Sequence, residues 1–388
     1  MRSMSQMPTV YLDNAATSHP KPEAVYRAVD CALRRGGSAG RGSHEQGLSA
    51  AREIFSAREL LAEFFHVPAS ERFVFTSNAT QALNQALFGL LTPGDRVVTT
   101  SMEHNAVIRP LRVLQDQGVE VVKVAADPQT GLIRVADIKA ACLSAPTRLL
   151  VMNHASNVFG SLQPFEGLGT WCRQQGIVFL VDGSQTAGLI PINLDELQID
   201  LFAAPGHKGL LGPQGTGFLY LRDGIDLRPL VYGGTGANSH SSVQPEMLPE
   251  RFESGTFNIP GLAGLGAALQ FLLKTGVDQI HEREAHLVQR LINGLAQIDR
   301  VHLYGPSADL PRGSAISFTL EGTDPAEVGH RLDQLRIAVR TGLHCSPDSH
   351  HTLGTFPTGT IRVSPGFFTT NAEIDYFLDQ IDVLTSVS

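Results

Sequence analysis

The chain has 388 residues, with 38 Gly, 22 Pro, 4 Cys, 42% hydrophobic and 18% charged residues. At ~100–200 residues per domain this length suits about two domains, each with its own core, and the apolar share excludes a disordered chain. The net charge of −8 argues against a nucleic-acid-binding surface, and four cysteines in so long a chain exclude a disulfide scaffold.

Residues 1–10 carry a single Arg and no apolar run, so no secretory signal is expected. No stretch approaches the ~18 consecutive apolar residues of a membrane span. The expectation is a soluble, cytoplasmic protein with reduced thiols and no membrane or nucleic-acid partner.

Short apolar runs predict strands over 72–75, 96–99, 120–124, 148–152, 177–181, 201–203 and 217–221. Most show little polar alternation, as strands buried on both faces of a parallel sheet do. Helical patterns fall between them over 81–91, 106–117, 135–143 and 166–175. The alternation predicts a doubly covered α/β sheet. Near Gly255 the pattern changes. A Gly- and Pro-containing loop over 253–261 precedes long helical patterns over 262–273 and 278–298. Strand-like runs over 315–320 and 361–363 and a helix over 372–384 follow. These read as a smaller α+β domain, which residues 1–17 join. The expected large domain spans 18–255 and the smaller one 256–388.

Ligands bind beyond the carboxyl ends of strands in an open parallel sheet. After Phe75 comes Thr76-Ser77-Asn78-Ala79-Thr80, then a helix. A helix start with small residues and the Thr80 hydroxyl suits a phosphate, although plain N-capping would look the same. After Val181 comes Asp182, a carboxylate ending a buried strand. It needs a cationic partner, such as a protonated cofactor nitrogen, unless it is a cap or a salt bridge. After Ala203 comes Ala204-Pro205-Gly206-His207-Lys208-Gly209. Desolvation would make Lys208 a usable amine nucleophile for a Schiff base. Together the three segments supply a phosphate cup, a pyridinium partner and a lysine, which suits a pyridoxal-phosphate enzyme.

Other stretches carry less. Residues 209–217 form neither a dinucleotide fingerprint nor a Walker loop. His281 to His286 spaces its histidines one residue too far for H-E-x-x-H and reads as a solvated helix face. His344, Cys345, His350 and His351 lack zinc-site spacing, so no metal is expected.

The sequence resembles the class V aminotransferase-like pyridoxal-phosphate enzymes and, within them, the cysteine desulfurases, nearest to the SUF-type (group II) branch. The matching stretches are Tyr11-Leu12-Asp13-Asn14-Ala15-Ala16-Thr17, Met102-Glu103-His104-Asn105, Ser156-Asn157-Val158-Phe159-Gly160, Val181-Asp182-Gly183-Ser184-Gln185 and Gly206-His207-Lys208. Further along come Arg251-Phe252-Glu253-Ser254-Gly255-Thr256, Arg340-Thr341-Gly342-Leu343-His344-Cys345 and Ile361-Arg362-Val363-Ser364. The resemblance implies a PLP-dependent transferase fold of type I, with a mainly parallel seven-stranded sheet, helices on both faces and a smaller C-terminal α+β domain.

It also implies roles. Lys208 would bond the cofactor, Asp182 would face its ring nitrogen and Gln185 its phenolic oxygen. His104 would stack on the ring. Ala79, Thr80 and His207 would hold the phosphate. Thr256 would reach the phosphate of a neighbouring protomer, implying a homodimer with shared sites. Asn14, Ala15, Asn157 and Arg362 would meet the substrate, and Arg340 would line the entrance.

Cys31, Cys142 and Cys172 lie on helical patterns and read as buried thiols. Cys345 lies in a loop, after Arg340 and His344, where cations favour thiolate. It is the expected sulfur acceptor in conversion of L-cysteine to L-alanine, keeping a persulfide for an unidentified acceptor protein. Selenocysteine lyase, a cysteine C–S lyase and an aminotransferase are the alternatives on this scaffold, with L-selenocysteine as a possible substrate. Pro205 and Ala79 stand where hydroxyl donors are frequent in the family, and Asn105 and Leu343 where the SUF-type branch often has His.

Overall fold

The computed structural model describes residues 9–40, 44–236 and 240–386. The expected strands make one seven-stranded sheet in the order Phe73–Thr76, Gly217–Leu221, Leu201–Pro205, Val178–Asp182, Leu149–Asn153, Arg96–Thr100, Glu120–Val124. From Leu201–Pro205 to Glu120–Val124 neighbours run parallel. Gly217–Leu221 runs antiparallel to both neighbours. Leu150 and Met152 join the core on one face, while Leu149 and Val151 join the core on the other. This two-sided burial is why the strands read as continuous apolar runs.

Helices Ala79–Leu90 and Asn105–Asp116 cover one face through Leu83, Leu87, Val107 and Leu111. Val135–Leu143 and Leu168–Gln174 contribute Ile138, Leu168 and Cys172 to the other. There the rings of Phe65, Phe73, Phe202 and Phe218 pack with centroids 5.4–6.1 Å apart.

Helix Glu23–Arg35, expected only as the helical pattern around Cys31, and helix Glu45–Phe64, which is not among the predicted elements, pack on helix Ile259–Thr275. That last helix buries Leu262, Leu265 and Leu269 in the large sheet's core. The pattern change at Gly255 therefore precedes a helix that belongs with the sheet. The smaller unit's own core starts further on, with Leu287, Leu291 and Leu295.

The smaller unit holds an antiparallel sheet in the order Arg340–Gly342, Thr360–Val363, Ile316–Leu320, Val301–Tyr304. Helices Val277–Leu295, Pro325–Gln334 and Asn371–Ser386 cover it. Val10–Tyr11 pairs in parallel with Ile337–Ala338, which brings the first described residues beside this unit. The helix holding residues 281–286 is not wholly solvated. Glu284 is buried on its inner face, and burial pushes its carboxyl up to about 8. Among the described residues no helix is long and apolar enough to cross a membrane.

Candidate active site

Three strand ends open onto one cleft with about 540 Å³ of open space. Ala79, Thr80, His104, Asn157, Asp182, Gln185, His207 and Lys208 all line it. At its floor, Asn78 caps helix Ala79–Leu90, its Oδ1 accepting from Gln81 N at 2.9 Å. The Ala79 and Thr80 N–H groups are therefore first-turn donors with no intrahelical acceptor, a ready anion site. Gly217 lets the antiparallel strand approach this turn: a Cβ there would lie 2.7 Å from the Asn78 carbonyl carbon.

Asp182 ends its strand buried, with Ser184 N donating to Oδ1 at 2.9 Å. Lys208 lines the same cleft and is half-buried. Burial pulls its amine down to about 8, against the opposing pull of Asp182. A fraction of this amine is uncharged near neutrality, as a nucleophile or base requires. His104 caps helix Asn105–Asp116, its Nδ1 accepting from Ala106 N at 2.9 Å. Burial, then Lys208, hold it near 4, so it is neutral with its proton on Nε2. Neutral His104 is a flat apolar lid, suited to stacking.

His207 is held near 4 by burial and then by Lys208, and its buried Nδ1 has no partner. The cleft lining thus includes first-turn N–H donors, the Thr80 hydroxyl, a histidine whose Nδ1 lacks a partner, and the Asp182 carboxylate. That donor set fits a phosphorylated pyridine. Gln185 Nε2 donates to Ala15 O at 3.0 Å, which ties the chain's first segment to the cleft. Asn14 and Ala15 line a smaller cavity that also touches Gln185 and Lys208.

The smaller unit brings the arginines and the thiol. Arg340 and Arg362 stand directly opposite each other on paired strands, a repulsive placement on its own. Asp13 relieves it, accepting from Arg362 Nη2 at 2.7 Å and Arg340 Nη2 at 3.1 Å. Arg362 is buried, donates through Nη1 to Asn157 O at 2.8 Å and keeps an unpartnered Nε. This spare buried donor suits a substrate carboxylate.

Cys345 is exposed and lies within electrostatic reach of Lys208 and Arg362. Its carbonyl accepts from Asn105 N at 2.8 Å, which fastens the loop beside His104. His344, expected to be a cation near the thiol, is buried and donates or accepts through Nε2 at Thr360. Burial, then Arg362, hold it far below its usual range, so it stays neutral. The cations within electrostatic reach of the thiol are Arg362 and Lys208. His350 pairs with Thr355 Oγ1 at 2.7 Å, and His351 stacks on Phe356, so both shape the loop.

Cys142 and Cys172 are buried as expected, but Cys31 is exposed, with Arg35 Nη2 3.3 Å from its sulfur. Its helix buries only Val25 and Ala32, which turn about 100° round the helix from Cys31. Thr256 lies outside the Lys208 cleft, in a neighbouring groove with Ser77 and Gln81. Asp13, Glu103 and Ser346 escaped the sequence reading. Asp13 and Glu103 stand within matched motifs, but nothing local names their partners. Glu103 Oε1 accepts from Thr100 Oγ1 at 2.6 Å and Asn153 N at 3.2 Å. Burial, with a smaller push from Asp182, raises it to about 8.

A family model described as aminotransferase class-V matches residues 10–377. The chain is 33% identical over 386 residues to a probable cysteine desulfurase of Methanothermobacter thermautotrophicus, covering 97% of this chain and 95% of that one. It is 35% identical over 359 residues to a cysteine desulfurase of Yersinia pseudotuberculosis, covering 89% and 86%. Its fold is similar to the apo structure of a cysteine desulfurase from Thermococcus onnurineus, with TM-score 0.91, 32% identity and 98% and 95% coverage.

Proposed function

Since the chain belongs to the aminotransferase class-V family, we propose that it is a pyridoxal-phosphate-dependent cysteine desulfurase. One observation carries this reading: the loop that carries the exposed Cys345 is fastened through its backbone carbonyl beside His104, which lines the cleft with Lys208 and Asp182. An aminotransferase or a C–S lyase has no need of a thiol there.

Bound pyridoxal phosphate supplies an electron sink for the substrate's Cα carbanion. Ala79, Thr80 and His207 would hold its phosphate, Asp182 its ring nitrogen, Gln185 its phenolic oxygen and Lys208 its aldehyde carbon. His104 keeps water from the ring face. The half-buried Lys208 amine, drawn down to about 8, suits removal of the Cα proton. Arg362, with Asn157, orients the substrate carboxylate, and Arg340 screens the entrance. The Cys345 thiolate attacks the sulfur of L-cysteine. The new S–S bond forms as the Cβ–S bond breaks, and its electron pair stays with carbon. Protonation at Cβ, with return of the Cα proton from Lys208, gives L-alanine. One thiol and one cysteine thus yield one persulfide and one alanine, with no outside reductant. The persulfide then passes to an acceptor protein.

A homodimer fits the surface. Val231, Tyr232, Val243 and Met247 are 50–73% exposed, apolar side chains that a partner copy could cover. Thr256, outside its own cleft, is the residue that would meet a partner's phosphate. The test is incubation of the purified, cofactor-loaded protein with L-cysteine, with assay of alanine, sulfide and pyruvate. Alanine equimolar with persulfide supports the reading. Pyruvate with ammonia would replace it with lyase chemistry.

A further inference from the structure

The loop that carries Cys345 is held in an unfavourable shape. His344 and Cys345 have φ of 49° and 60°, both in the left-handed region that non-glycine residues seldom adopt. Two consecutive residues do not stay there unless the surroundings hold them.

The residues on either side of the thiol share one side chain. Asn157 Nδ2 donates to His344 O at 2.7 Å. Ser346 Oγ donates to Asn157 Oδ1 at 2.8 Å. Ser346 is fully buried and Asn157 nearly so, so neither bond has water to replace it. The two bonds also fix which way the amide faces. With Oδ1 committed to Ser346, the Nδ2 group must face the loop, and its second N–H stays free. The Asn157 carbonyl, in turn, accepts from Arg362 Nη1 at 2.8 Å. The guanidinium that would take the substrate carboxylate and the loop that carries the thiol therefore meet on a single residue.

We propose that Ser346 and Asn157 form a latch that sets the position of the Cys345 thiol, with Ser346 acting as a positioning residue through the Asn157 amide. This rests on the desulfurase reading only for its kinetic consequence; the latch itself is a property of the loop. Ser346 does not line the cleft that holds Lys208. Its removal should therefore spare the steps that precede sulfur transfer and slow the transfer alone. The loop, freed on one side, should expose the thiol to small reagents more often.

The test compares the wild-type, cofactor-loaded protein with Ser346→Ala. Alkylation of Cys345 by iodoacetamide is followed on its own peptide by mass spectrometry, which separates it from the exposed Cys31. Alanine formation from L-cysteine is measured in a single turnover. Exchange of the Cα hydrogen of L-alanine with solvent deuterium reads the cleft without the thiol. Loss of one buried hydrogen bond should speed alkylation and slow alanine formation by about 3- to 10-fold, with Cα exchange changed less than about 2-fold. Unchanged alkylation and alanine formation would overturn the latch. So would an equal fall in alanine formation and Cα exchange, which marks a general disturbance. A wild-type protein that forms no alanine would instead defeat the desulfurase reading, and the alkylation comparison would still decide the latch.

Discussion

Replacing Arg58 by Met tests how the segment leading to Thr256 is held. Arg58 lies on helix Glu45–Phe64 and is buried against Glu253, with two bonds of 2.8 Å. Glu253 also accepts from Phe75 N at 2.6 Å, and Arg58 donates to Phe73 O and lies 4.5 Å over the Phe75 ring. One ion pair thus joins a helix, the sheet edge and the segment that ends at Thr256. Burial pushes the Glu253 carboxyl up, although Arg58 pulls it down. Desolvation is the larger effect, so the carboxylate depends on its partner. Met in place of Arg58 leaves that carboxylate buried and unpaired, at a cost of about 3–5 kcal/mol. With an unfolding entropy of about 2.1 cal/mol/K per residue, 388 residues convert this to a drop of about 4–6 °C in Tm. The double variant Arg58→Met/Glu253→Gln removes the orphaned charge and keeps an acceptor for Phe75 N. It should recover part of the loss. Thermal unfolding followed by circular dichroism reads both. A single variant within about 1 °C of wild type, or a double variant less stable than the single, would refute the reasoning.

Three further outcomes follow from the same geometry. Glu103 has a native pKa of about 8 against an ordinary 4.5, so the folded state binds more protons between those values. Stability should therefore fall as pH rises from about 4.5 to about 8. Glu103→Gln should flatten the Tm-against-pH curve over that window, with Glu284→Gln adding to the effect; identical slopes in the double variant and wild type would contradict this. Arg362→Lys loses the planar fork and should lower kcat/KM for L-cysteine by roughly 10- to 100-fold, mostly through KM. Asp13→Asn leaves Arg340 and Arg362 opposed without a counter-charge. It should lower stability at low ionic strength and regain part of it in salt, read as Tm against added chloride.

Much of the large sheet was legible in the sequence because its strands are buried on both faces. The bounds of helix Glu23–Arg35 were not, since it buries only Val25 and Ala32 and offers a thin apolar stripe. Strands Val301–Tyr304 and Arg340–Gly342 are short and half-exposed, without an apolar run. The site divides the same way. Asp182 and Lys208 follow directly on apolar strands, so their positions announce them. Asp13 meets Arg362 only across 349 residues of chain, and Ser346 meets Asn157 across 189. Their roles exist only after the two units pack together. His344 was misread as a cation because burial, which neutralises it, is a tertiary property. Cys31 was misread as buried because a helical pattern alone does not say which face turns inward.

The central claim is that Cys345 receives the substrate's sulfur in a cleft run by Lys208. A single turnover of cofactor-loaded protein with L-cysteine tests it most directly, with the Cys345 peptide weighed alongside the alanine released. The account predicts one added sulfur on Cys345 for each alanine formed, and neither product in Cys345→Ser, whose cofactor absorbance is retained. Alanine released at the wild-type rate by Cys345→Ser, or an added sulfur on another cysteine, would contradict it.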